Sequence, residues 1–384
     1  MDKQLSLYIH YPYCLSKCPY CDFNSHVATA IDYKDMLGAY ISELEYYSRF
    51  VEKDFTISTI FFGGGTPSLM DKKLLAELLE HIRVNYKLAD DIEITLEANP
   101  STIENEKIKF FKDNGINRLS LGVQSFDEGV LKFLGRKHDV NTAISALENI
   151  QKHFSNYSLD LIYGIAGQDL KAWERNLNRA LEFNSNHISL YQLTIEKGTE
   201  FYRQFKKDNL AIMDDDSQAD LYDFTYSKTK KHGFERYEVS NFAKAGYESQ
   251  HNLNYWRSGD YVGIGAGAHS RITKDNIKYA FVNYHMPKKW CQENLANGNA
   301  IQSKESLDQN TQIEEYIMMG LRLKEGINLQ DFSKKFGISF ADVIEQGKID
   351  KLISEDLIQI NANILHISPN RTGITNYITG QILV

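Results

Sequence analysis

The sequence predicts an α/β protein: a curved, partly open barrel of parallel strands followed by a small α+β domain. Three observations carry this reading. β-like runs alternate with amphipathic helical patterns up to residue 193. The strands in that alternation set polar side chains against apolar ones with a period of two. After about Asn310 the texture changes to short helices and a hairpin.

The strand patterns cover residues 5–11, 56–62, 93–98, 118–124, 158–163 and 187–193, with helical patterns at 33–49, 71–86, 104–114 and 141–153 between them. Asn114-Gly115 ends a helix just before the fourth strand, where Gly suits a left-handed cap. In the third strand Ile94, Leu96 and Ala98 share one face, and Glu93, Thr95 and Glu97 the other. In the fourth, Leu119, Leu121 and Val123 oppose Arg118, Ser120, Gly122 and Gln124. Asp160 opposes Leu159, Leu161 and Tyr163, while Tyr8 and His10 oppose Leu7 and Ile9. Parallel strands covered on both sides read as continuous apolar runs. These do not, so one face is expected to meet a polar cavity, with the chemistry at the C-terminal strand ends. An antiparallel sheet with a wet face gives the same alternation, but the intervening helices argue against it.

Three of the four cysteines lie in Cys14-Leu15-Ser16-Lys17-Cys18-Pro19-Tyr20-Cys21, directly after the first strand. Three thiolates on one loop can each hold one iron of a cubane cluster, which usually takes four. One iron would keep an open position for a non-protein ligand. A structural zinc site closes with four ligands; Cys291 is far away in sequence, and His26 follows Cys21 by five residues. A disulfide framework would leave one thiol unpaired and suits a small secreted chain.

The composition points to a cytoplasmic protein of 384 residues, with 42% hydrophobic residues and a formal charge of −8. That charge offers no basic footprint for nucleic acid. The N-terminal residues show no signal-peptide pattern, and no apolar run approaches the ~20 residues of a membrane span. A reducing compartment keeps the thiols available to iron.

The cysteine spacing, Gly63-Gly64-Gly65-Thr66-Pro67 after the second strand, Leu96-Glu97-Ala98-Asn99-Pro100, Arg118 to Phe126, Leu134-Gly135-Arg136 and Leu159-Asp160-Leu161 together resemble the radical S-adenosylmethionine (SAM) superfamily, in its oxygen-independent coproporphyrinogen III oxidase family. The resemblance covers most of the chain. It implies a partial (β/α)6-type radical SAM barrel over residues 1–300 and a winged-helix-like α+β domain over 305–384. It implies a 4Fe-4S cluster on Cys14, Cys18 and Cys21, and SAM lined by Tyr8, Gly64, Gly65, Thr66, Glu97, Gln124, Arg136 and Asp160. The side-chain chemistry agrees: Asp160 can accept from ribose hydroxyls, Arg136 can pair with a carboxylate, and Glu97 can meet an amine or hydroxyls. In Gly164-Ile165-Ala166-Gly167-Gln168, relatives tend to carry Pro at Ala166, a difference in loop stiffness.

Within the family the details favour the haem-chaperone branch over the decarboxylating oxidase. The oxidase has a further cysteine where this chain has Phe23, and an extension before its first strand. Gln250-His251-Asn252-Leu253-Asn254-Tyr255-Trp256 matches the H-N-x-x-Y-W element of the chaperones. His251 is thereby a candidate haem ligand, with Tyr255 one turn away if the segment is helical. Haem and acceptor haemoproteins, respiratory ones among them, are the implied partners, and homodimerisation stays open. The glycine run Gly263–His269 lacks a following helix for a dinucleotide and is expected to wall the cavity. Asp214-Asp215-Asp216 reads as a helix start. Helices at 313–323, 328–336 and 340–353, with a hairpin of 357–360 and 364–367, suggest a winged-helix shape. From Ile301 onward acidic residues outnumber basic ones 11 to 8, which argues for a lid or docking module over DNA binding.

Overall fold

A computed structural model describes residues 3–27, 32–51 and 55–383. Twelve strands form one sheet, numbered here in chain order. β1 (Lys3–Tyr11), β2 (Phe55–Gly64), β3 (Leu88–Ala98), β4 (Arg118–Gln124), β5 (Tyr157–Tyr163) and β6 (His187–Gln192) lie side by side in sequence order, all parallel. β7 (Glu235–Arg236) and β8 (Asn241–Ala243) extend the β6 edge in antiparallel pairing. β9 (Tyr261–Ile264) runs parallel to β1 on its free side, and β10 (His269–Lys274), β11 (Ile277–Asn283) and β12 (Ile301–Ser306) continue from it as an antiparallel meander. The spatial order is β12-β11-β10-β9-β1-β2-β3-β4-β5-β6-β8-β7, so the barrel is open.

Helices Tyr33–Phe50, Lys72–Asn85, Asn105–Asp113, Val140–His153 and Leu170–Leu181 make the crossovers. Four of them start on an aspartate whose carboxylate accepts backbone N–H bonds: Asp32, Asp71, Asp139 and Asp169. The acidic run at Asp214 does the same, accepting from Ser217 N at 2.9 Å to open helix Asp215–Lys231. Each crossover buries an apolar stripe, such as Leu74, Leu75, Leu78, Leu79 and Ile82, against the sheet.

The C-terminal residues build a second core around Ile317, Phe332, Ile358 and Leu365. Helices Gln309–Gly320, Leu329–Phe336 and Gln346–Ser354 surround a three-stranded sheet of Ile327–Asn328, Ile358–Asn361 and Ile364–Ile367. The pattern at 340–353 is two elements, a 3-10 turn at Phe340–Asp342 and the helix from Gln346. A closing helix, Thr375–Leu383, was not anticipated.

The glycine run also corrects its expectation. Tyr261–Ile264 is strand β9, with Gly263 paired to Tyr8, and no residue from 263 to 269 lines the cavities described below. Gly265 N donates to the buried Glu43 carboxylate at 2.8 Å. The run therefore ties β1 to the outer helix layer.

Candidate functional site

Cys14, Cys18 and Cys21 are free thiols at the mouth of a cavity of about 410 Å³ above the C-terminal ends of the parallel strands. The cysteine loop is held by the turn after β2. Gly65 N donates to Tyr11 O at 2.7 Å and Thr66 N to Tyr13 O at 2.8 Å. A Cβ on Gly65 would stand 2.6 Å from Tyr13 O. Gly65 thus lets two backbones touch while still lining the cavity.

Thr66 Oγ1 donates to Cys14 Sγ at 3.3 Å, and Arg136 Nη1 lies 3.6 Å from Cys18 Sγ. Burial raises the Cys14 and Cys21 thiols above their ordinary range. Metal coordination removes such protons outright. Among the described residues no three His, Cys, Asp or Glu converge on a single-ion site. Cys291 is outside the cavity lining.

Gly65, Thr66, Glu97, Gln124, Arg136 and Asp160 all line this cavity. The alternation read from the strands holds, with Leu96, Leu119 and Leu121 fully buried on the opposite face. Arg136 Nη2 donates to Gly122 O at 2.8 Å, leaving its Nε buried and unpartnered. Gln124 ends β4 with φ +67, and its Oε1 is also buried without a partner. Strain and orphaned polar atoms collect where a ligand completes the set. Asp160 accepts from Ser120 Oγ at 3.0 Å on both oxygens. Burial raises its carboxyl, and burial followed by the charge of Asp160 pushes Glu97 up to about 8. Burial and the neighbouring Asp160 thus bias Glu97 toward its protonated form at neutral pH.

Tyr8 is placed differently. Together with Phe61, Arg118, His187, His251 and Tyr255 it lines a second, inner chamber of about 170 Å³ that shares Glu97, Ser120, Asp160 and Tyr191 with the outer cavity. Its hydroxyl lies 3.1 Å from His10 Nδ1. Sequence reasoning assigned no role to Tyr20, whose hydroxyl is 3.5 Å from Arg136 Nη1, or to Tyr191. Ser120 and Arg118 were legible only as members of the polar face.

His251 is on helix Gln250–Trp256, with Tyr255 on its face as expected. It is 1% exposed and stacks on Phe61 at 5.0 Å. Thr59 Oγ1 donates to Ser6 at 2.8 Å, so at 2.7 Å it accepts from His251 Nδ1, and Nε2 takes the Tyr255 hydroxyl at 2.8 Å. Burial, then Arg118, lowers the ring to about 3, keeping it neutral. Both nitrogens are engaged. Pockets for drug-sized ligands run roughly 300–1,000 Å³, so the chamber is too small for a porphyrin. This arrangement does not present His251 to haem iron.

The Radical SAM superfamily model matches residues 8–180, and the HemN C-terminal domain model residues 307–370. The chain is 34% identical to heme chaperone HemW of Bacillus subtilis (strain 168) over 98% of its length and 99% of that protein's. It is 37% identical to heme chaperone HemW of Escherichia coli (strain K12), covering 91% and 90%. The chain belongs to the HemW family of the radical SAM superfamily. Its fold is shared with coproporphyrinogen III oxidase (HemN) from Escherichia coli, at a TM-score of 0.83 and 22% identity, covering 99% of this chain and 90% of that one. Membership of the HemW family brings with it the superfamily's 4Fe-4S cluster and SAM. The free thiols at one mouth and the orphaned Gln124 and Arg136 atoms fit such a pair. Among the described residues no helix is long and apolar enough to cross a membrane.

Proposed function

We propose that this HemW-family chain is a cytoplasmic haem chaperone that binds haem and hands it to acceptor haemoproteins. The observation that carries this reading is the near full-length identity to heme chaperones HemW. Phe23, standing where the oxidase has a further cysteine, supports it. In this reading Cys14, Cys18 and Cys21 hold the 4Fe-4S cluster, and SAM exchanges at its open iron within the 410 Å³ cavity. When bound, the cluster supplies an electron and SAM a group that can accept it. The chain's own residues do the rest. Arg136, anchored on Gly122 O, meets the methionine carboxylate. Asp160, held by Ser120, and Gln124 meet the nucleoside end, while Gly65 and Thr66 hold the cysteine loop in place.

The test is anaerobic. Reconstituted protein is titrated with haem, then incubated with SAM, reductant and coproporphyrinogen III. A tight haem complex that donates to an acceptor apoprotein, without decarboxylation over many turnovers, is the expected result. Sustained protoporphyrinogen formation would transfer the assignment to the oxidase. Gel filtration with and without haem reports whether the carrier is a monomer or a homodimer. Cys14→Ala, Cys18→Ala and Cys21→Ala should each lose most iron and sulfide, and Cys291→Ala should keep both. Equal dependence on Cys291 would overturn the three-thiol assignment.

A further inference from the structure

The inner chamber holds a cation that the SAM reading does not use. Arg118 opens β4 on the same face as Ser120 and Gly122. Those two residues line the outer cavity, whereas Arg118, one step deeper, lines only the 170 Å³ chamber. The outer cavity has a guanidinium of its own, that of Arg136. Arg118 is 2% exposed, yet among the described residues its side chain makes no hydrogen bond or ion pair, and its Nε is buried without a partner. A buried cation left unpaired is costly, so the chain leaves a negative charge to be supplied from outside.

The carboxylates around Arg118 are committed elsewhere. Glu93, on neighbouring β3, accepts from Gln250 N at 3.2 Å and His251 N at 3.1 Å, at the start of helix Gln250–Trp256. Asp160 accepts from Ser120 on both oxygens, and Glu97 is biased toward its protonated form. The imidazoles of the chamber are closed as well. His187 bonds Ser158 Oγ and the Tyr237 hydroxyl, both at 2.8 Å, and burial lowers its ring well below the ordinary value. His251 is engaged at both nitrogens. Among the described residues Arg118 is thus the one cation lining the chamber.

We propose that the inner chamber binds a carboxylate, held by the planar fork of the Arg118 guanidinium. The side-chain amide of Asn252 lines the same chamber without a hydrogen-bond partner among the described residues and gives a second donor. Asn241 Oδ1, another buried atom of the lining without a partner, accepts from a water bridging to the acid. The volume suits a short acid and excludes a ring system of drug size. The acid comes either as a free small molecule or as the carboxylate arm of a larger one reaching in from the outer cavity, with which the chamber shares Glu97, Ser120, Asp160 and Tyr191.

Calorimetric titration of cluster-loaded protein with propionate, in carboxylate-free buffer, tests this. Wild-type protein should bind propionate, and Arg118→Gln should weaken that binding at least tenfold while SAM affinity and cluster content stay at wild-type values. The variant removes an unpaired buried charge, so without propionate its melting temperature should equal or exceed that of wild type. Added propionate should raise only the wild-type value. Haem separates the two sources. Competition between haem and propionate, with both weakened in Arg118→Gln, assigns the chamber to the arm of a larger molecule; haem binding indifferent to both assigns it to a free acid. Propionate binding is read without haem, so failure of the chaperone reading leaves this test intact. Should Arg118→Gln not fold, the imidazole resonances of wild-type protein decide instead: propionate should shift those of His187 and His251 and leave exposed His232 in place. No propionate binding by wild type, equal binding by Arg118→Gln, or a matching loss of SAM affinity would overturn the proposal.

Discussion

At the scale of single residues, the cavity turns on two arrangements of charge. In the proposed SAM site, Arg136 and Asp160, which both line the cavity, would each offer a charge-assisted contact. Asp160→Ala should weaken SAM binding by roughly 1.5–3 kcal/mol, a tenfold to hundredfold loss, with cluster content unchanged. Arg136→Ala should do the same and also lower the cluster's midpoint potential, because it removes a cation 3.6 Å from Cys18 Sγ. Calorimetry returning wild-type affinity for both would take these residues out of the pocket. The second arrangement is the Glu97–Asp160 pair. Glu97 holds its proton up to about 8 in the folded chain, against 4.5 ordinarily, so the stability it contributes is full at low pH and is lost as pH rises through about 8. Buried His251 and His10 act oppositely below their ordinary value of 6.5, which leaves the interval from 6.5 to about 8 as the clean window. In cluster-free protein the melting temperature should fall across that window, and Glu97→Gln should flatten the fall. Buried Glu43, also pushed to about 8, keeps part of the slope. An identical slope in Glu97→Gln would show that Glu97 is ionised throughout.

At the scale of elements, Glu43 is the joint between three pieces far apart in sequence. It projects from helix Tyr33–Phe50 and is fully buried. It accepts from Gly265 N just after β9 at 2.8 Å, and from Trp290 Nε1 on helix Pro287–Asn297 at 3.0 Å. Leaving these buried donors unsatisfied costs about 1–3 kcal/mol each. Glu43→Ala should therefore destabilise by about 2–5 kcal/mol, and Glu43→Gln, which keeps one acceptor, by clearly less. Denaturant melts giving equal losses for the two variants would mean that packing, and not the hydrogen bonds, sets the cost. The same joint presses β9 onto β1, and through Asn24 it positions the cysteine loop.

At the scale of the whole molecule, the C-terminal core is fastened to the barrel by ion pairs of unequal worth. Arg271 on β10 meets Glu315 at 2.9 Å, with both side chains 23% exposed. Arg257 meets Glu325 at 2.7 Å with both about half exposed. Screening by water leaves exposed pairs at about 0–1 kcal/mol. Glu315→Ala should cost about 1–2 kcal/mol and Glu325→Ala less than about 1. High salt should erase the second difference and spare much of the first. A larger loss at Glu325 than at Glu315 would reverse this ranking.

The strand–helix alternation, the polar faces of β3, β4 and β5, the cysteine spacing and the acidic helix start at Asp214 were legible in the sequence. Each depends on residues within a few positions of one another, and periodicity records such relations directly. Those local patterns also sufficed to bring Gly65, Thr66, Glu97, Gln124, Arg136 and Asp160 to one rim, because parallel strands in sequential order align their C-terminal ends. What the tertiary structure alone decided are relations between distant residues. β9 joins β1 from the far side of the chain, Tyr8 falls into an inner chamber, and His251 finds Thr59 at a separation of 192 residues. Asn24 meets the His285 carbonyl across 261 residues and so ties the cysteine loop to the far end of the sheet. No spacing rule encodes such pairs; they follow from which faces the folded sheet leaves to share the same buried space.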